Sequence, residues 1–161
     1  MAYLLDANVF MEAKNRYYGL DFCPAFWDWL VEENAAGRVY SIEKVGDEIR
    51  DELAPWAAAR GAGFFLRPDP ALLPSLGVVS GWATSQRYEA AAVNTFLQKA
   101  DYYLVAYAHA HGHIVVTHEV PSPSTKKIKI PEPCIGLGIK CVNTFEMLRN
   151  SRARFVLPTQ P

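Results

Sequence analysis

The sequence has almost no excess charge of either sign: 16 Lys and Arg stand against 17 Asp and Glu in 161 residues. That balance argues against a broad positive surface adhering to nucleic acid everywhere, and leaves room for a local basic patch. Cysteine is scarce. Cys23, Cys134 and Cys141 are odd in number and lack a CxxC spacing, which speaks against a disulfide framework or a zinc knuckle and for packed, reduced thiols. No apolar run approaches the roughly 18 residues of a membrane span, and no basic segment followed by an apolar core opens the chain. No membrane association is therefore expected, and the expected compartment is the cytoplasm. Repeats and low-complexity tracts are also missing. What is present, 50% hydrophobic and 20% charged residues, is the composition of one globular domain, expected to span 1–161.

Short apolar segments alternate with helical periodicity. The run Tyr3-Leu4-Leu5 is too short for a helix and reads as a buried strand ending at Asp6-Ala7-Asn8. Residues 24–36 carry Phe26, Trp29, Leu30 and Glu33 at helical spacing, with Pro24 in the first turn and Gly37 as the stop. Val39 and Tyr40 read as a second strand. Ser41 reads as the cap of a helix striped by Ile42, Val45, Ile49 and Leu53, which Pro55 breaks or bends. A third strand is expected in "GFFLRP" and a helix over 89–97. An Ala- and Tyr-rich helix stopped by Gly112 follows, then the strand Ile114–Val116, a Pro, Ser and Lys loop over 121–134, a strand over 139–142 and a final helix. This alternation predicts an α/β fold, a three-layer α/β/α sandwich with a mostly parallel central sheet. Chemistry in such sheets gathers beyond the carboxyl ends of the strands.

Four acids fall at suggestive places. Asp6 follows the first strand, Glu48 lies in the expected second helix, Asp101 opens the helix leading to Gly112, and Glu119 follows the strand Ile114–Val116. Singly, Asp6 also reads as a helix cap, Asp101 as a complement to a helix dipole, and Glu48 as part of a solvated acidic face. Together they read as an oxygen-only cluster, whose members repel and protonate unless a hard divalent cation, Mg²⁺ or Mn²⁺, neutralises them. Such an ion suits phosphodiester hydrolysis. Asn8 would fix a carboxylate or water, and Thr117 would donate its hydroxyl to a water or to the scissile phosphate. Lys126, Lys127 and Lys129 in the long loop would hold substrate phosphates. His109 and His113, four apart, invite a zinc reading, which Gly112 opposes by ending the helix between them.

The segments "YLLDANVF", "SIEKVGDEI", "KADYYLVAYAHAHGHIVVTHE" and "IKCVNTFEML" resemble, in order and spacing, the PIN-domain ribonucleases, the metal-dependent fold of VapC-type toxins in toxin–antitoxin pairs. That family opens with a strand running into Asp-x-Asn, here Asp6 and Asn8, and carries a glutamate after strand two, here Glu48. Its third acid begins a helix leading through Gly into a strand ending Thr-x-Asp, here Asp101, Gly112 and Thr117, with Glu119 where Asp is commoner. "TKKIKIP" and "NTFEMLR" resemble a less characterised PIN-like subgroup. The resemblance implies metal-dependent RNA cleavage, an RNA substrate, an antitoxin protein as partner and a homodimer. An inactive PIN-like module that binds RNA or protein, or a DNA or flap nuclease, is the alternative.

Overall fold

In the computed structural model, which describes residues 1–158, five parallel strands form one sheet in the order β3-β2-β1-β4-β5. They are β1 (Tyr3–Leu5), β2 (Val39–Ile42), β3 (Phe65–Leu66), β4 (Ile114–Val116) and β5 (Cys141–Val142). Register runs through Tyr3↔Val39, Ser41↔Phe65, Leu4↔Val115 and Val115↔Cys141. The helices are α1 (Ala7–Glu12), α2 (Pro24–Ala35), α3 (Glu43–Gly46), α4 (Ala54–Arg60), α5 (Leu72–Ser85), α6 (Ala90–Phe96), α7 (Ala100–His111), α8 (Pro131–Leu137) and α9 (Thr144–Asn150). All three residues of β4 are buried. Because successive strand residues point to opposite faces, both faces of the sheet are covered. The α/β architecture expected from the sequence is thus the one found. The last three residues of the expected 1–161 domain lie outside the described residues.

Apolar side chains explain the assembly. Leu4, Leu5, Val39, Val115 and Val116 are completely buried in the sheet, and Phe10, Phe26, Trp27, Leu30 and Phe64 pack around them. Trp27 satisfies its indole N–H on the Tyr18 carbonyl at 2.6 Å, so a large polar-tipped ring sits in the core at no hydrogen-bonding cost. Gly112 takes the left-handed conformation (φ 67°) that ends α7 and turns the chain into β4. Among the described residues no helix is long and apolar enough to cross a membrane.

The region after β2 departs from the sequence reading. Ser41 is not a cap: it lies in β2, buried, donating its hydroxyl to the Leu5 carbonyl at 2.6 Å. The striped helix does not form as one piece. α3 ends at Gly46, Asp51 takes a positive φ of 61°, and a 3₁₀ turn (Asp51–Leu53) leads into α4. Val45, Ile49 and Leu53 are nonetheless all buried, so the stripe reported burial correctly and continuity wrongly. Pro55 starts a helix rather than ending one, as its missing N–H and fixed φ allow in a first turn. α1 is capped by Asp6, as one reading of that residue allows, whereas α5 and α8 were not expected, and the long loop is shorter than its Pro content suggests because Pro131 and Pro133 enter α8.

Candidate metal centre at the carboxyl edge of the sheet

β1 lies between β2 and β4: the chain steps outward from β1 through β2 to β3 and then crosses back to β4 on the other side, so the β1–β4 crevice is where the strand order reverses. Crossover geometry opens the sheet surface there to a ligand. Asp6 stands at the end of β1, while Thr117 and Glu119 follow β4. Asp6 is 5% exposed; one carboxylate oxygen accepts the Ala7 N–H at 2.7 Å and the other accepts the Thr117 hydroxyl at 2.8 Å. Asn8 donates to Thr117 Oγ1 at 3.3 Å and accepts the His118 N–H at 3.1 Å. Glu119 N–H also donates to Thr117 Oγ1, at 3.1 Å. Asp6, Asn8 and Thr117 therefore lock the ends of β1 and β4 together. In this arrangement the Thr117 hydroxyl donates to Asp6.

Burial is the largest influence on every acid of the group. Asp6 is raised from its ordinary range to about 7, by burial first, then by the charges of Asp101 and Glu119, against the hydrogen bond from Thr117. Asp101, in the first turn of α7, is raised by burial and by Glu48, with Lys99 and Lys127 opposing. Glu119 is raised by burial and by Asp101; the Ile130 N–H, held at 3.4 Å by its Oε1, and Lys127 and Lys129 oppose. Glu48 is not in a helix: it follows α3, its N–H bonded to the Val45 carbonyl at 3.0 Å. Although this residue is solvent-exposed, the protein around its carboxyl raises it, and Lys99 and Arg50 pull it back. Asp101 is thus electrically linked to Asp6, Glu48 and Glu119.

These acids share one field without forming a ready cage: among the described residues, no three His, Cys, Asp or Glu are placed to hold a metal ion. The donors still fit a hard divalent ion. All are oxygens, and burial without a counter-charge leaves Asp6 half-protonated near neutrality. Mg²⁺ is commonly held by one or two carboxylates and several waters rather than by an all-protein cage. His109 lies apart from the acids in its bonding, paired with Ser75 Oγ at 2.8 Å, while His113 accepts the Ala2 N–H at 3.3 Å.

Lys126 and Lys127 border a cavity of about 240 Å³, and Lys129 acts electrically on Glu119 from the same loop. Lys99, between α6 and α7, lines that cavity too, and sequence reasoning passed over it. Its signal was visible: it is the one cation between Glu89 and Asp101, two residues ahead of the acid.

The crystal structure of FitAcB from Neisseria gonorrhoeae is similar in fold, with a TM-score of 0.53 at 19% identity over 89% of this chain and 98% of that one. At that identity the likeness is one of fold. No curated protein matches the chain. A family match covers residues 3–155, the whole sheet and all four acids, and by it the chain belongs to the domain of unknown function family DUF4411.

Proposed function

We propose that this protein is a divalent-metal-dependent endoribonuclease that hydrolyses RNA phosphodiester bonds, working in the cytoplasm as the toxin of a toxin–antitoxin pair and as a homodimer. One observation carries the chemistry: Asp6, buried at the β1–β4 crevice, is held near a pKa of 7 beside Asp101 and Glu119, a concentration of carboxylates that a divalent cation would relieve. Asp6, Glu48 and Asp101 would hold Mg²⁺ or Mn²⁺ directly or through water, with Glu119 assisting. When bound, such an ion lowers the pKa of a water and offsets charge on the reacting phosphate. Thr117 fixes the Asp6 carboxylate, and Asn8 fixes Thr117, so the pair sets the direction in which Asp6 presents its remaining lone pairs. Lys127 and Lys129 place positive charge beside Asp101 and Glu119, where a substrate phosphate would arrive. The toxin role, the antitoxin and the homodimer follow from the resemblance to VapC-type proteins.

The test is cleavage of labelled RNA by purified protein with Mn²⁺, with Mg²⁺ and with chelator. Asp6→Asn and Asp101→Asn should each reduce the divalent-dependent rate by about 10³-fold or more, the scale of removing a group that stabilises the transition state, with circular dichroism unchanged. Wild-type turnover in both variants refutes the centre.

A further inference from the structure

The cavity next to the acids has an unusual lining. On one side are Ala91, Ala92, Thr95 and Phe96 of α6; on the other are Lys126, Lys127 and Ile128 of the long loop; Lys99 closes the end towards α7. The two alanines leave the space, while Ile128 and Phe96, almost wholly buried, supply an apolar floor. The loop is tied in place. The Glu89 N–H donates to the Thr125 carbonyl at 2.9 Å, the Lys126 N–H to Ser124 Oγ at 3.2 Å, and the Ile130 N–H to Glu119. The last bond joins the returning loop to the acid cluster itself, so the spacing between lysines and acids is set by the fold. Among the described residues, none of Lys99, Lys126 and Lys127 forms an ion pair, although Lys14, Arg16, Arg38 and Arg67 all do. Three lysines thus line one concavity of about 240 Å³, none of them in an ion pair among the described residues.

We propose that this pocket seats one backbone phosphate of a nucleic-acid strand, a phosphate other than the one cut, with Lys99, Lys126 and Lys127 as its ligands and Phe96 and Ile128 beneath the adjoining sugar. Lysine suits such a seat because it is a compact charge on a flexible stem that can pack along an apolar floor while its head meets the anion. The identity of the strand rests on the nuclease reading above; the pocket itself needs no metal and no cleavage. Its consequence is register. With one phosphate anchored beside α6, the strand must run from there across Asp101 towards Asp6, and the cut falls at a fixed number of nucleotides from the anchor.

Binding of a fluorescein-labelled single-stranded RNA of about ten nucleotides, within the span one small domain covers, is measured by anisotropy with the full chain in EDTA at several salt concentrations. Lys99→Gln and Lys127→Gln should each weaken binding about fivefold, and the double variant should reduce the slope of log affinity against log salt by about 0.7, the value for one single-strand phosphate contact. Lys→Arg at both positions should restore the slope. A set of RNAs each carrying a single uncharged methylphosphonate should reveal one internal position that weakens wild-type binding and is silent in the Lys99→Gln, Lys127→Gln double variant. That scan keeps the test decisive even should a lysine variant not fold.

Wild-type affinity and slope in folded Gln variants, an even loss at every methylphosphonate position, no binding by any form, or a loss confined to removal of a 5′-phosphate would each overturn the assignment. A parallel Mn²⁺ cleavage assay separates the two readings. Intact EDTA binding with no cleavage overturns the nuclease and leaves the pocket, whereas cleavage indifferent to the lysines does the reverse.

Discussion

Asp6 carries two loads. It receives the Ala7 N–H at the start of α1 and the Thr117 hydroxyl from β4, yet it is buried beside Asp101 and Glu119. Its folded pKa of about 7 lies above the unfolded value near 3.8. Below about pH 4 both states are protonated and the group contributes nothing. Between about 4 and 7 the folded chain holds a proton that the unfolded chain releases, so ion-free stability falls as pH rises through that window and stays reduced above it. Asp6→Asn keeps an acceptor oxygen and removes the charge. Without divalent ions at pH 8, the variant should melt several degrees above wild type, since 1 kcal/mol moves Tm about 2–4 °C at this size, and the difference should vanish near pH 4. Calorimetry across pH reads this directly; equal Tm values at pH 8 contradict the field described for Asp6. The same residue shows what a sequence conveys. The position of Asp6 after an apolar run was readable, because strand ends are local. Its tie to Thr117, 111 residues away, came from β1–β4 pairing, which no local pattern specifies.

At the level of elements, what could be read was what burial alone determines. α2, α7 and β4 have unmixed patterns and formed as expected. The segment after β2 misled because Ile42, Val45, Ile49 and Leu53 are all buried, yet they lie at the end of β2, in α3, in the irregular stretch after it and in the 3₁₀ turn that opens at the positive φ of Asp51. Spacing cannot distinguish one helix from several turns that bury the same side chains. Glu48 was accordingly assigned to a helix, whereas it occupies the turn after α3. Missing α5 and α8 had another cause: their prolines and glycines read as loop, but tertiary packing overrides that preference. Gly136 in α8 is an instance. A Cβ there would stand 2.7 Å from Cε2 of Trp82 on α5. Helix propensity favours Gly→Ala by up to about 1 kcal/mol, but the indole, packed on Tyr88 at 5.9 Å, has to move. Gly136→Ala should therefore destabilise by about 1–3 kcal/mol, the cost of overpacking. Urea titration should show that loss, and Trp82→Ala should reverse its sign.

Across the whole molecule, charges nearly cancel while the distribution does not. Acids gather at the β1–β4 crevice, and Lys99, Lys126, Lys127 and Lys129 stand next to them, so a near-neutral chain presents a steep local gradient. A divalent ion bound to that crevice should stabilise the folded state by mass action, about 2.7 kcal/mol at a hundredfold excess over its dissociation constant. The gain should be large at pH 8 and small at pH 5, where protons compete for the same carboxylates. Differential scanning fluorimetry with Mn²⁺ at both pH values measures it, and a pH-independent shift would place the ion elsewhere.

The sheet's outer members, β3 and β5, are two residues long apiece. A stray strand arriving at either margin would find scarcely one repeat of backbone donors and acceptors to extend, so end-on growth into fibrils lacks a template even though the interior is rich in β-branched residues.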